Sequence, residues 1–170
     1  MSDVIAFTIK YDKVVDQLIF PCVLAHNGII LKANALIDTG AMASYISSDL
    51  SMILNPVKTG QETKVITTQF DGVYPIVMVE YLGVPKNTIF DKCKFIVKPF
   101  ASDNFNLILG MDFLNKGDFA ISRINNCTTV TIHRPSISAI ECQNIVDEKD
   151  IPQLIKTMRN LPINTIRIDN

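Results

Sequence analysis

At residues 35–47 the chain reads Ala35-Leu36-Ile37-Asp38-Thr39-Gly40-Ala41-Met42-Ala43-Ser44-Tyr45-Ile46-Ser47. An apolar run typical of a β-strand ends here at an aspartate, and Thr-Gly directly after it permits a tight turn. The sequence therefore predicts a carboxylate at the end of a rigid strand, a position suited to acid–base chemistry. Taken alone, the tripeptide Asp-Thr-Gly is also typical of an ordinary turn at a strand end.

A second apolar run ends in glycine further along the chain. It reads Asn106-Leu107-Ile108-Leu109-Gly110-Met111-Asp112-Phe113-Leu114. A glycine in such a place lets the backbone pass close to another chain segment. A predicted hairpin with the turn pair Asp71-Gly72 lies between the two segments. The order along the chain is therefore a carboxylate turn, a mobile lid and an apolar strand with glycine.

Strand signals recur at intervals of about ten residues along the chain up to residue 135. The turn pair Asn27-Gly28 predicts a hairpin over residues 18–37, and Asp71-Gly72 predicts a second one between the runs 63–68 and 74–81. Further strands are predicted at 94–97, 107–109, 120–122 and 128–133.

The tail has a different pattern. Apolar residues at helical spacing follow an acidic segment and predict a helix over residues 148–161, with a short strand at 163–168. We expect residues 1–140 to form the main domain and 141–170 to form a helix–strand extension. This extension either covers a sheet edge or the dimer interface, or occupies the cleft as a regulatory segment.

The charge balance argues against nucleic acid as the main partner. The 170 residues include 16 Lys and Arg and 17 Asp and Glu, so there is no basic surface of the kind that holds a polyanion. No apolar run approaches the roughly 18–20 residues that cross a bilayer, and the first residues lack a signal-peptide pattern. We expect a cytoplasmic or otherwise intracellular protein, with no secretion signal and no membrane partner.

The cysteines and histidines give no sign of a metal site. The cysteines are far apart in the sequence and include no C-x-x-C pair, so we interpret them as reduced packing residues. His26 and His133 are interpreted as a turn and a strand residue without chemistry. We expect neither a metal nor an organic cofactor. The four cysteines are Cys22, Cys93, Cys127 and Cys142.

Together, the two segments resemble the motifs of retroviral-type aspartic proteases, or retropepsins, especially those of long-terminal-repeat retrotransposons and their cellular and bacterial relatives. The resemblance rests on residues 36–41 with the trailing 44–46, and on residues 108–114, and it covers about residues 5–135. It implies a mainly β fold, a small closed β-barrel of the acid protease type. It also implies one short helix after the glycine motif and a homodimer as the active unit.

The resemblance assigns roles to single residues. Asp38 is the catalytic aspartate, and Thr39 braces the paired loops across the dimer. Gly40 supports the same loop and, with Ala41, lines the substrate cleft. The structural motif Leu109-Gly110 supports the loop from below.

The resemblance places the lid, or flap, at a hairpin tip near Phe70, Asp71, Gly72 and Val73. The turn near Gly60 is the alternative position. Phe70, Gly72 and Val73 are thus candidate substrate contacts, together with Ala41 and Ile108. Because the side chains expected to form the pocket walls are apolar, we expect hydrophobic substrate side chains beside the cleaved bond.

The chain departs from many retroviral enzymes at one point of the second motif. Met111 follows the glycine where an arginine is common in those enzymes, and Met42-Ala43 follow Asp-Thr-Gly-Ala. The chain is therefore more similar to the retrotransposon and cellular branch. Its dimer requires stabilising contacts other than those of that arginine.

Peptide hydrolysis by this chemistry needs two carboxylates that share one proton. The chain contains one Asp-Thr-Gly, so two copies must meet. Our hypothesis is a homodimeric aspartic endopeptidase that hydrolyses extended polypeptides, a retroelement polyprotein being one such substrate, with activity that peaks on the acidic side of neutral. The alternative is a catalytically silent dimer that keeps the fold and holds a peptide.

Overall fold

The computed structural model describes residues 5–66, 71–84, 88–100 and 102–136. Within these ranges the chain forms ten strands and two short helices. In chain order they are β1 (Ile5–Tyr11), β2 (Leu18–His26), β3 (Ile29–Ile37), β4 (Tyr45–Ser47), α1 (Ser48–Leu54), β5 (Val57–Ile66), β6 (Asp71–Val84), β7 (Thr88–Lys98), β8 (Leu107–Leu109), α2 (Met111–Leu114), β9 (Asp118–Ile124) and β10 (Cys127–Arg134).

Six strands close into a barrel. They follow one another in the order β2-β3-β8-β4-β7-β6, and β6 pairs again with β2. Strand β5 pairs with β6 beyond the barrel and forms the last strand of this sheet. A separate antiparallel sheet has the order β1-β10-β9.

The core follows from the alternation of apolar residues along the strands. In β2, every second residue from Leu18 to Leu24 is buried, because successive side chains of a strand point to opposite faces. Val130 and Ile132 of β10 join the same core, so the small sheet packs against the barrel. No helix in the described ranges is long and apolar enough to span a membrane.

The structure confirms the predicted hairpin over residues 18–37. Strands β2 and β3 pair from Leu18 with Ile37 to His26 with Ile29, and Asn27 and Gly28 both have positive φ in the turn. The predicted strands 94–97, 107–109, 120–122 and 128–133 lie within β7, β8, β9 and β10. The short helix after the glycine motif is α2.

The predicted turn at Asp71-Gly72 is wrong, although the hairpin around it exists. Asp71 pairs with Ile66 and Gly72 pairs with Val65, so both residues belong to the β5–β6 ladder. Residues 67–70, which connect the two strands, lie outside the described residues. The Asp-Gly pair favours a turn only where both residues adopt positive φ, and the antiparallel ladder keeps these two extended.

Gly60 does not form a turn either. It has a φ of +74° inside β5, where the register with β6 shifts between Lys58 and Glu62. This arrangement is a β-bulge, which glycine favours because an L side chain is strained at positive φ. The bulge bends the strand that faces the candidate site.

Helix α1 and the cysteines are two further points at which the structure can be compared with the sequence predictions. Helix α1 was not predicted; Ser47 caps it by accepting a hydrogen bond from the backbone N–H of Leu50 at 3.2 Å. Cys22, Cys93 and Cys127 are free thiols, as the sequence interpretation expects. Cys142, the predicted helix over 148–161 and the strand at 163–168 lie outside the described residues.

Candidate active site

Asp38 stands directly after β3, held by the parallel pairing of β3 with β8. Ile37 pairs with Leu109, and the backbone N–H of Asp38 donates to the carbonyl oxygen of Leu109 at 3.1 Å. The chain then turns, with Ala41 N–H donating to Asp38 O at 3.2 Å. The N–H of Gly40 donates to Oδ1 of Asp38 at 2.9 Å, so the backbone fixes the direction of this carboxylate.

Gly110 lies beneath the loop of residues 38–43, which we call the aspartate loop. A Cβ atom at Gly110 would stand 2.3 Å from the carbonyl oxygen of Ala43 and 2.7 Å from that of Ala41. Two backbone hydrogen bonds tie the loop to the following helix: Met111 N–H donates to Ala41 O at 2.8 Å, and Asp112 N–H donates to Met42 O at 3.1 Å. Only glycine permits this approach of the two backbones.

Ser44 connects the two motifs through its side chain. Its hydroxyl donates to Oδ1 of Asp112 at 2.7 Å and accepts from the N–H of Gly110 at 3.1 Å. Its carbonyl oxygen accepts from Ile96 N–H at 2.9 Å. Because Ser44 is buried, these bonds hold the aspartate loop, β7 and α2 in one fixed arrangement.

An arginine from β10 contacts the second motif from outside. The guanidinium of Arg134 lies 4.6 Å from the ring centroid of Phe113 and 5.1 Å from that of Phe90. Its Nη2 donates to the carbonyl oxygen of Phe113 at 2.9 Å. An arginine from a distant strand thus contacts α2, whereas Met111 follows Gly110 in the sequence.

A cavity of about 540 Å³ opens beside Asp38. Residues of the aspartate loop and of strands β4, β5, β7 and β8 line it. Its lining residues are Asp38, Gly40, Ala41, Met42, Ala43, Tyr45, Thr63, Lys64, Val65, Ile66, Ile96, Lys98 and Ile108.

Lys98 and Tyr45 set the electrostatics of this cavity. The Nζ of Lys98 lies 4.6 Å from the ring centroid of Tyr45. Burial lowers the pKa of Lys98, and the nearby charge of Asp38 opposes that shift. Burial raises the pKa of Tyr45, and the charges of Asp112 and Asp38 raise it further. Tyr45 therefore stays a neutral phenol beside the carboxylate at physiological pH.

The structure brings most of the predicted site residues together, and separates others. Asp38, Gly40, Ala41 and Ile108 line the cavity. Thr39 is exposed on the loop, and Leu109 and Gly110 lie buried beneath it.

The predicted flap contacts are placed differently. Gly72 and Val73 belong to β6 and are not among the residues that line the cavity; the residues of this hairpin that line it are 63–66 of β5. Phe70 lies outside the described residues.

Comparisons with known proteins bear on this arrangement. No family model matches the chain, and no curated protein matches it. Among solved structures, a retropepsin-like aspartic protease from Rickettsia conorii superposes with a TM-score of 0.54 at 15% identity, over 78% of this chain and 96% of that one. The chain has the retropepsin-like fold. A retroviral protease-like domain of Ddi1 from Leishmania major also matches, with a TM-score of 0.42 at 22% identity, over 74% of this chain and 94% of that one.

In the retropepsin-like fold of this chain, sequence reasoning missed three residues near Asp38. Ser44 and Tyr45 were part of the first motif, but no role was given to them. Lys98 was overlooked because a lysine at the end of a strand is ordinarily solvated. The available signal was its place in Phe95-Ile96-Val97-Lys98-Pro99, where an apolar strand leads straight into a charged residue.

Proposed function

We propose that the chain is an aspartic endopeptidase that acts as a homodimer, with Asp38 of each copy in one shared active site. The observation that carries the proposal is the placement of Asp38. Its carboxylate borders the cavity, accepts a hydrogen bond from Gly40 N–H, and belongs to a loop that rests on Gly110. Such support keeps a reacting group in a fixed geometry.

The chemistry requires a second carboxylate. One carboxylate activates a water molecule for attack on the peptide carbonyl, while the other, protonated, polarises that carbonyl. Thr39 and Gly40 are exposed, and the side chain of Met42 is 87% exposed. The outer side of the aspartate loop is thus open in one copy, which supports its pairing with the same loop of a second copy about a twofold axis.

The proposed substrate is a polypeptide in extended conformation. Strand β5 ends its sheet and pairs with β6 on one side among the described residues, so its other edge can add a peptide strand beside the cavity. Val65, Ile96 and Ile108 give the cavity apolar walls. These walls favour hydrophobic side chains at positions that reach them, as in a polyprotein cut at an exposed linker.

The test is peptide cleavage by the wild type and by Asp38→Asn across pH 4–7.5. We expect the wild type to cleave a proteome-derived peptide library and Asp38→Asn to be slower by about 10²–10⁴-fold, since it removes the acid–base group. Asp103→Asn, the same change at an exposed aspartate away from the cavity, should keep full activity.

Two outcomes would contradict the proposal. Equal cleavage by the wild type and Asp38→Asn would assign the activity to another residue or to a contaminant. Peptides that bind to both proteins and stay uncut over the whole pH range would instead support a silent peptide-binding dimer.

A further inference from the structure

Basic side chains line a cavity of about 330 Å³ that is separate from the one beside Asp38. We call it the basic pocket. Residues of β7, of α2 and of β10 contribute to it, together with Lys116, which follows α2. Its charged lining residues are Asp91, Lys92, Lys94, Asp112, Lys116 and Arg134. The four positive charges outnumber the two negative ones, so the pocket attracts anions.

The contacts inside the protein leave the lysines of this pocket open to a ligand. Arg134 is engaged with α2, and Asp112 accepts a hydrogen bond from a buried serine. Within the described residues, no carboxylate forms an ion pair with Lys92, Lys94 or Lys116. All three lysines are exposed, and their long side chains can turn toward a bound anion.

A smaller cavity of about 230 Å³ connects the basic pocket with the cavity beside Asp38. It shares Ala43, Thr63 and Ile96 with the cavity of Asp38. The residues that it shares with the basic pocket are Ser44, Lys94, Phe95 and Asp112. The three cavities are therefore consecutive parts of one groove along β7.

Strand β7 sets the length of this groove. Ile96 and Lys94 lie two positions apart and pair regularly with β6, so they share one face of the strand. At about 3.3 Å per residue, β7 advances roughly 13 Å from Ile96 to Lys92, a distance that an extended peptide covers in about four residues. A substrate that passes Asp38 and follows the groove thus brings a more distant side chain to the basic pocket.

We propose that the basic pocket selects substrates with an acidic side chain, Asp or Glu, at one position about three to five residues from the cleaved bond. This inference rests on the proposed function and names a determinant of its specificity. A carboxylate in the pocket gains charge-assisted contacts with the lysine ammonium groups, whereas an amide of the same size does not. The apolar cavity beside Asp38 and the basic pocket then recognise two different parts of one peptide.

The test measures peptide binding to Asp38→Asn by fluorescence anisotropy at low salt. The probes are synthetic peptides with a central pair of hydrophobic residues and about five further residues on each side, enough to reach the pocket. Each of these further positions carries Glu or Gln in turn. One position about three to five residues from the central pair should favour Glu by about three- to tenfold in Kd, as expected for exposed charges. Lys94→Gln combined with Lys116→Gln should reduce this ratio to about one, because it removes the excess positive charge.

Two further variants and one kinetic measurement serve as controls. Lys94→Glu combined with Lys116→Glu should favour a Lys side chain at the same position, because it reverses the sign of the charge in the pocket. Lys10→Gln combined with Lys13→Gln removes the same charge at exposed positions outside the groove and should leave the Glu:Gln ratio unchanged. The kcat/KM of the wild type for the same peptides should show the same preference for Glu.

The outcomes separate this inference from the proposed function. A Glu:Gln ratio that the change of Lys94 and Lys116 to Gln leaves intact would overturn the inference. A preference spread equally over all positions, or lost equally in the control variant, would also overturn it, since net charge would then account for the effect. Glu-selective binding through the two lysines in a protein whose wild type never cleaves would support the inference and overturn the catalytic proposal. Cleavage without a preference for an acidic side chain would do the reverse, and peptides that are neither bound nor cleaved would overturn both.

Discussion

At the scale of single residues, Gly110 decides whether the aspartate loop can lie directly against the backbone that precedes α2. Its missing side chain leaves room for the carbonyl oxygens of Ala43 and Ala41, both backbone atoms that cannot rotate away. We expect Gly110→Ala to lower the free energy of unfolding by about 1–3 kcal/mol. Because it displaces Asp38, it should also lower peptide cleavage by about 10²-fold.

Gly83→Ala is the matched control for this change. A Cβ at Gly83 would meet the backbone oxygen of Val23 at 3.7 Å, an ordinary contact. Urea unfolding and cleavage assays on both variants separate the effect of the close contact at Gly110 from the general effect of replacing a glycine by alanine. A Gly110→Ala protein as active as Gly83→Ala would refute the close contact described above.

Cys22 gives a prediction for alkaline pH. Burial raises the pKa of its thiol from 9.0 to about 12. Between these values the unfolded chain loses its proton while the folded chain keeps it, so stability falls as pH rises from about 9 toward 12. The full effect is about 4 kcal/mol at about 1.4 kcal/mol for each pH unit.

The measurement is the urea midpoint as a function of pH for the wild type and Cys22→Ala. The variant should lose less stability between pH 9 and 11 than the wild type. Cys22→Ala should still lose some stability over this range, since burial also raises the pKa of Cys93, to about 11, and that of Tyr11. Parallel curves for the two proteins would show that the Cys22 thiol ionises freely in the folded state.

At the residue scale, the sequence points to a position where a motif demands a particular residue type. Asp38 and Gly110 were singled out because an aspartate and a glycine end apolar runs. Lys98 was not found, because its burial depends on the alternation along β7 and on the ring of Tyr45, which is distant in sequence. A local pattern does not report such a contact.

At the scale of elements, Ser44 joins β4, β8 and α2 at one point. Ser44→Ala would remove the donor to Asp112 and leave the buried N–H of Gly110 without its acceptor. Loss of a buried partner costs about 1–3 kcal/mol, and we expect a decrease of that size in the free energy of unfolding from urea titration.

Ser48→Ala, a change of the same kind at a partly exposed position in α1, should change stability by no more than about 0.5 kcal/mol. If both serine variants unfold at the same urea concentration, the Ser44 bridge contributes nothing measurable.

The two hairpins also show when a turn dipeptide is sufficient to predict the position of a turn. The hairpin of β2 and β3 was predictable since Asn27-Gly28 supplies both the turn conformation and the register. Asp71-Gly72 has the same local signal, yet the ladder with Ile66 and Val65 holds it in a strand. Pairing partners over the length of β5 and β6 outweighed the preference of one dipeptide.

At the scale of the whole molecule, the resemblance to retropepsins implied a closed barrel, and the structure has one. The two apolar runs of the motifs pair in parallel as β3 and β8, and the barrel closes through β2 and β6. The three-stranded sheet of β1, β10 and β9 joins residues from both ends of the described chain. Its pairing could not be derived from local patterns, because the partners are more than a hundred residues apart.

The most direct test of the shared active site is a mixing experiment. Wild type and Asp38→Asn are combined at constant total concentration, allowed to exchange subunits, and assayed for cleavage of one peptide. If each active site needs an aspartate from both copies, activity falls with the square of the wild-type fraction, to about one quarter in an equal mixture. A linear fall to about one half would contradict a site built from two copies of Asp38.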